Sequence, residues 1–533
     1  MTPLLLGMVV FVLHALMTGG HLQSPDETLL HRMARGMALA GELHVLPLEY
    51  SMEAGGLMVP PDRTFATVQG RGGRFYPQYL PLQPLLAAPL VWLGEATAPL
   101  FADSFAGTLP NSPAHPADRP RVDWSAAVVV TLSNPLVAAL TAVLLLRLGT
   151  FVTGGDRRAG LWMAVAWAFG TMAWAHSRTF FTEPLAGLFA LVALEQILRW
   201  AQAQRPRLLH ALVIGGALAA GNWTRMDSPA LALGLGLAMA GIAVWRVRDG
   251  RWQVAEAVRD LAVAGGLTVG SYLALMGFNA WRYAGAVSAV GGGYEGQSEG
   301  VKFSTPLLVG LQGYLMSPGK SIFLFSPAIV LGLWGWCLVP REQRWLAVVV
   351  AVGYAPFALA MTTWQNWDGG WCWGPRHIVQ LHAPVMLGMV FLVTTGWSVV
   401  RRTIARVLIV VGAGVSVFGS LQSPMDFYLL FYRTPDDEVH FPLPYRPEEE
   451  MIIRSRFVVE RLDFPPGAVQ PERTPVMTLR ELPAPLTDSL YVPQHTQWAG
   501  YPVMLQLGYC DLWVLGQVIG NRPQVSPYSE GLE

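Results

Sequence analysis

The sequence predicts an all-α polytopic membrane protein with about 11 transmembrane helices, each about 20 residues long. Three observations lead there. Hydrophobic residues fill 52% of the 533 positions and charged residues only 14%, where soluble domains run nearer 25% charged. Apolar runs of spanning length recur between residues 2 and 421. Arginines gather in alternate loops between those runs, the pattern that the positive-inside rule describes. The formal net charge is zero, so no basic footprint points to nucleic acid.

The first run, TPLLLGMVVFVLHALMTGG at 2–20, lacks the basic n-region of a signal peptide and reads as an uncleaved span. Further spans are expected near 124–146, 160–176, 184–199, 209–224, 228–245, 259–281, 321–339, 345–362, 379–398 and 404–421. The apolar segment 79–101 is assigned instead to an interfacial or re-entrant helix, because counting it reverses the sidedness of every later loop. Without it, Arg147, Arg157 and Arg158; Arg199, Arg205 and Arg207; Arg246, Arg248 and Arg251; Arg341 and Arg344; and Arg401, Arg402 and Arg406 all fall on one side. That side is cytoplasmic by the positive-inside rule, which puts the N-terminus inside. Residues 1–421 then form the transmembrane domain, with 21–123 a first outer loop carrying interfacial helices. Residues 422–533 form a small extracytoplasmic region rich in Pro and charge. Alternation in MIIRSRFVVERL suggests strands or a short helix there. The three cysteines, Cys337, Cys372 and Cys510, lack metal-ligand spacing. Cys372 and Cys510 could pair if both face an oxidising compartment.

The polar residues on the outer side form several clusters. In HLQSPDETLL, Ser24, Pro25 and Glu27 fit N-cap, N1 and N3 of a capping box, and Asp26 suits the helix dipole. A cap therefore explains the stretch as well as an acid–base role for Asp26 and Glu27 does. In HSRTFFTEPLAG, Glu183 opens a span with His176 and Arg178 just before it. A carboxylate at membrane depth is costly and marks function by default, although it could also serve the helix dipole. In NWTRMDSP, Arg225 and Asp227 either pair with each other or leave Arg225 to hold a lipid phosphate. Ser317-Pro318-Gly319-Lys320-Ser321 is anion-binding equipment at a helix start without the Walker spacing; the alternative is a lysine snorkelling to the interface. In WQNWDGGWCWGPRHIV, Asp368, Trp371, Arg376 and His377 sit among glycines that an aromatic belt does not require. Tyr76 and Tyr79 precede the interfacial segment and say little by themselves.

In this order the stretches SPDETLLHRMARGMALAGEL, RFYPQYLPLQPLLAAPL, HSRTFFTEPLAGLFALVAL, NWTRMDSP, FNAWRYAGAVSAVGGGYEG, FSTPLLVGLQGYLMSPGKSIFLFSP and GGWCWGPRHIVQLHAPVML resemble the GT-C-fold membrane glycosyltransferases. This is the superfamily of protein O-mannosyltransferases and aminoarabinose transferases. The resemblance covers roughly residues 1 to 400 and is strongest to its bacterial polyprenyl-phosphate-sugar-dependent branch. It implies a GT-C-like bundle in the bacterial cytoplasmic membrane. Asp26 would be the catalytic base with Glu27 as partner, and Glu183 the second acidic position. Lys320, Arg376 and Arg225 would lie at the donor phosphate. Tyr76, Tyr79, His176, Arg178, Trp371, Asp368 and His377 would lie near the sugar. A divalent metal, Mg or Mn, held by Asp26 and Glu183 is left open. The partners implied are a polyprenyl-phosphate-linked sugar, membrane lipid, and an acceptor glycan, lipid or protein.

Such a transfer needs a base for the acceptor hydroxyl and a cation or metal for the departing phosphate. A single displacement inverts the anomeric carbon without a carboxylate nucleophile. The rivals are a transporter or flippase of lipid-linked sugars and a non-catalytic assembly subunit. Transporters bind near the midplane, often between repeats, whereas here the charges gather at one face and no repeat is evident.

Overall fold

The computed structural model describes residues 2–45, 66–101, 125–288, 303–370, 372–422 and 424, and in the C-terminal region 438–443, 446–454, 458–459, 479–480, 496–506 and 511–512. The described chain is mostly helical. Among the described residues seven helices are long and apolar enough to cross a membrane: Val130–Val152, Glu183–Gln202, Ser228–Arg248, Val254–Tyr283, Arg341–Thr363, Arg376–Thr394 and Val399–Ser420. The chain is a multi-pass membrane protein.

Seven is fewer than the 11 spans expected, and the other four stretches are helical but short or broken. Pro3–Leu16 has 14 residues and Leu208–Thr224 has 17. The stretch 160–176 breaks after Arg157–Gly170, and 321–339 splits into Ile322–Phe325 and Ile329–Cys337. The second break follows from Pro327, which has no N–H to continue the ladder. The two breaks complete each other: the Met172 amide donates to Ser326 Oγ at 2.9 Å, and the Ala328 amide donates to the Gly170 carbonyl at 3.2 Å. Apolar surroundings leave no water for these groups, so irregular backbone survives only where such partners exist.

Glycine lets the helices approach closely, as is common in membrane bundles. A Cβ on Gly335 would lie 1.9 Å from the Gly388 carbonyl oxygen, and one on Gly412 would lie 2.2 Å from that of Gly170. The segment expected to be interfacial forms a 16-residue helix, Leu82–Thr97. It packs against the helix Pro25–Arg35 and turns Leu85, Leu86, Trp92 and Leu93 outward.

The arginine-bearing turns meet at one end of the bundle. Arg147 reaches Glu195 at 3.8 Å and Arg199 reaches it at 2.9 Å; Arg246 donates to the Ala201 carbonyl. Trp245 contacts Trp345 at 6.1 Å, and Trp162 contacts Trp397 at 5.2 Å. Glu183 and Arg199 lie 16 residues apart in one helix, roughly 24 Å at 1.5 Å per residue. Glu183 therefore lies toward the opposite end.

In the C-terminal region Glu438–Leu443 pairs with Arg446–Arg454, and Val458–Val459 with Leu479–Arg480, both antiparallel. A helix, Gln497–Gln506, follows.

Candidate active site

The start of the helix Pro25–Arg35 is fixed by its own sequence. Ser24 Oγ accepts the Glu27 amide at 3.3 Å and donates to Glu27 Oε1 at 3.3 Å. Glu27 Oε2 takes the amide of Gln23 at 3.3 Å, one residue before the N-cap, and that of Phe180 at 3.1 Å. The box thus also captures the turn leading to Glu183. Glu27 is 1% exposed. Burial pushes its carboxyl up to about 7, against the amides of Phe180 and Gln23, the Ser24 hydroxyl and His21, which all favour the ionised form.

Asp26 points the other way and stays partly open, its side chain 23% exposed. Tyr79 Oη donates to Asp26 Oδ1 at 2.6 Å, and both terminal nitrogens of Arg376 donate to Oδ2 at 3.3 Å. Tyr79 is held through its neighbours: Arg282 Nη1 donates to the carbonyls of Pro77 and Tyr79 at 3.0 Å, and Tyr283 Oη donates to Pro77 at 3.0 Å. Tyr76 turns away from this network, edge-on to Trp281 at 6.2 Å and His44 at 6.4 Å.

Arg376 joins Asp26 to Glu183. Its Nε lies 3.7 Å from Glu183 Oε1, and its guanidinium lies 4.5 Å from the Phe181 ring centre. Glu183 is 2% exposed. Its Oε1 meets Arg225 Nη1 at 2.7 Å and His377 Nδ1 at 3.8 Å. Arg225 also grips Asp227 at 2.6 Å and donates to Thr182 Oγ1 at 3.0 Å. The Arg225–Asp227 pair left open by the sequence is therefore formed. Arg225 serves two carboxylates at once, so holding a phosphate would require it to release one of them.

The remaining candidates form a supporting layer. Lys320 is fully buried and donates to the carbonyls of Gly370 at 2.9 Å, Cys372 at 3.1 Å and Gly374 at 3.1 Å. An ammonium has three protons, and all three serve the glycine loop. A charge carried inside the protein takes carbonyls that neutralise it, and here they are those of the glycine loop. The glycines of that loop have positive φ values: Gly369 83°, Gly370 66° and Gly374 61°. Asp368 Oδ2 accepts the Gly370 amide at 3.0 Å, shaping the turn. His176 bonds the Trp373 carbonyl at 2.9 Å. Arg178 reaches Ser420, Gln422 and Asp511 instead of Glu183. Trp371 and Cys510 lie outside the described residues; Cys372 carries a free thiol.

The sequence therefore named six members of one connected network: Asp26, Tyr79, Glu183, Arg225, Arg376 and His377. It missed Arg282 and Tyr283, although an Arg-Tyr pair ending a span is the same kind of signal that drew notice to Arg225. It also missed Asp511. That carboxylate is 3% exposed and pairs with His21 at 2.7 Å and with Arg178. Burial pulls His21 down, but the adjoining Asp511 charge and hydrogen bond outweigh it and hold the imidazole up to about 9. Burial likewise raises the Asp511 carboxyl, and His21 and Arg178 overcome that to hold it below its ordinary range.

The described residues include no cluster of three or more His, Cys, Asp or Glu that could hold a metal. Asp26 and Glu183 fit a shared divalent ion poorly, because Arg376 already bridges them and an ion between them would have to displace its guanidinium.

No family model matches the chain, and no curated protein matches it. Solved structures similar to it at low identity include the following two. One is ArnT from Cupriavidus metallidurans bound to undecaprenyl phosphate, with 15% identity, a TM-score of 0.42 and coverage of 74% of this chain. The other is the Archaeoglobus fulgidus oligosaccharyltransferase tethered with an acceptor peptide, with 10% identity, a TM-score of 0.34 and coverage of 78% of this chain. The chain spans 59% of the first structure's length and 55% of the second's, and likenesses this distant assign no role to any residue here.

Proposed function

We propose that the protein is an integral membrane glycosyltransferase that moves a sugar from a polyprenyl-phosphate donor to an acceptor hydroxyl. One observation carries this reading: a partly open carboxylate, Asp26, lies 3.3 Å from the guanidinium of Arg376, with the tryptophan-rich glycine loop alongside. A group able to take a proton and a group able to hold phosphate thus share one small site at the end of a membrane bundle. The motif resemblance in the sequence supports the same chemistry, and the bundle end opposite the arginine turns is the extracytoplasmic one on the positive-inside rule.

In the reaction, Asp26 accepts the proton of the acceptor hydroxyl as its oxygen attacks the anomeric carbon. The bond from that carbon to the phosphate oxygen breaks, and polyprenyl phosphate leaves with the electron pair. Arg376 meets the charge that develops on the phosphate. The single displacement inverts the anomeric centre. Glu183, with Arg225 and His377 against it, orients Arg376 from behind. Tyr79 fixes the Asp26 rotamer, and Lys320 shapes the loop that carries Arg376. No step is routed through a metal.

The test uses full-length protein in detergent with a polyprenyl-phosphate-linked sugar, and follows release of polyprenyl phosphate. Asp26→Asn should lower turnover about 10²-fold or more, with thermal stability retained. Near-parental turnover removes Asp26 as the base. Movement of the lipid-linked sugar across a vesicle membrane without transfer would favour a flippase instead.

A further inference from the structure

We propose that Asp511, 333 residues from its nearest ionic partner in sequence, is a positioning residue of the active site. It ties the segment that enters the Asp26 helix to the turn that closes over Glu27.

Asp511 gathers donors from both of these pieces. His21 Nε2 donates to Oδ1 at 2.7 Å, Gln23 Nε2 donates to Oδ2 at 3.3 Å, and Arg178 Nη2 donates to Oδ2 and, at 3.3 Å, to the Asp511 carbonyl. The Asp511 amide donates to the Leu421 carbonyl at 2.8 Å, which anchors the carboxylate to the end of the helix Val399–Ser420. The site is shaped to admit it. A Cβ on Gly19 would stand 2.6 Å from Asp511 Oδ1, so the close approach depends on a glycine there.

These donors are the immediate neighbours of the groups that aim Asp26. Gln23 precedes the N-cap Ser24, and its amide is bonded to Glu27 Oε2. Arg178 lies two residues before Phe180, whose amide is bonded to the same oxygen. Glu27 joins the two segments from one side and Asp511 from the other. Among the described residues Asp511 is the one carboxylate that pairs with Arg178, itself 2% exposed. Removing the carboxylate would strand that buried cation beside the site, a more disruptive change than loss of a surface pair. The neighbouring contacts are continuous with this clasp: Tyr501 stacks on Trp373 at 5.1 Å and Trp498 stacks on Phe418 at 5.6 Å. The C-terminal region thus contributes one charged side chain and two aromatic rings to the packing behind the reacting groups.

The inference rests on Asp26 being the base, and the experiment separates the two. Full-length parent, Asp511→Asn, Asp511→Ala, Glu27→Gln and the Asp511→Asn/Glu27→Gln double variant are compared in detergent. Amide hydrogen exchange and transfer kinetics are both measured. Asp511→Asn should speed exchange at residues 24–28 and 179–181 by about tenfold or more while the peptide covering 133–152 keeps its rate. It should also lower kcat by about 10- to 100-fold, with the donor KM within about threefold because Arg376 is untouched. Its effect should be non-additive with Glu27→Gln, since both act on one joint. Unchanged exchange at 24–28, an equal rise throughout the bundle, or strict additivity overturns the proposal. If Asp511→Ala fails to accumulate, Asp511→Asn, which keeps the shape and removes the charge, carries the test. If Asp26→Asn retains turnover, the base assignment falls, and the exchange data still decide whether Asp511 holds the helix start.

Discussion

Replacing Glu27 by Gln should stabilise the protein at neutral and alkaline pH, although it removes one member of a closed capping box. Glu27 is 1% exposed, and its carboxyl is held up to about 7 against an ordinary value of 4.5. The folded state therefore binds more protons than the unfolded state between those values, and stability falls as pH rises through the window. The displacement corresponds to about 3 kcal/mol lost by the parent above pH 7 relative to pH 4.5. Gln has no charge to lose. Its carbonyl oxygen can accept the Gln23 and Phe180 amides, and its NH₂ can donate to Ser24 Oγ. The difference between variant and parent should therefore grow from pH 4.5 to 7 and then level off. His21 loses its own contribution between 6.5 and about 9 in both proteins, and its favourable charge on Glu27 adds only a smaller part to the difference. Thermal unfolding at one scan rate, from pH 5 to 8.5, is the assay. With about 2.1 cal/mol/K per residue, 3 kcal/mol is roughly 3 °C if the whole chain melts together. A difference in midpoint that does not change with pH, or that favours the parent as pH rises, refutes the reasoning.

Three further outcomes are expected. Arg225→Gln removes the 2.7 Å partner of a carboxylate that is 2% exposed; it should cost about 3–5 kcal/mol, and adding Glu183→Gln should restore most of the lost thermal stability. Lys320→Met leaves the carbonyls of Gly370, Cys372 and Gly374 without their shared donor; it should cost about 3 kcal/mol or more, and Cys372, 1% exposed in the parent, should become reactive to a maleimide. Arg376→Lys keeps the charge but loses the planar fork that reaches both Asp26 and Glu183; the donor KM should rise about tenfold or more, and an unchanged KM would remove Arg376 from the phosphate.

The sequence by itself determined what is local or periodic. Apolar runs fixed the membrane-bundle class, and the arginines of alternate turns identified one end of it, because helix length and loop charge are set within about 20 residues. Ser24, Pro25 and Glu27 announced a capped helix start because a cap is written in four consecutive positions. Two expected spans are broken where the pattern is apolar but the backbone does not continue, at Pro327 and after Gly170. Hydropathy does not register a missing N–H, and only tertiary packing shows that the two breaks supply each other's partners. Charge type was legible and charge pairing was not. Lys320 and Arg376 read as similar cations near one face, yet one is spent on three carbonyls and the other faces Asp26 across 350 positions. Asp511 had no local signal at all, since its neighbours in sequence do not include His21, Gln23 or Arg178. Which carboxylate stays partly open and which is buried to hold the frame depends on contacts between distant segments. The tertiary structure decided it by turning Asp26 towards Tyr79 and Arg376 and closing Glu27 beneath the Phe180 turn.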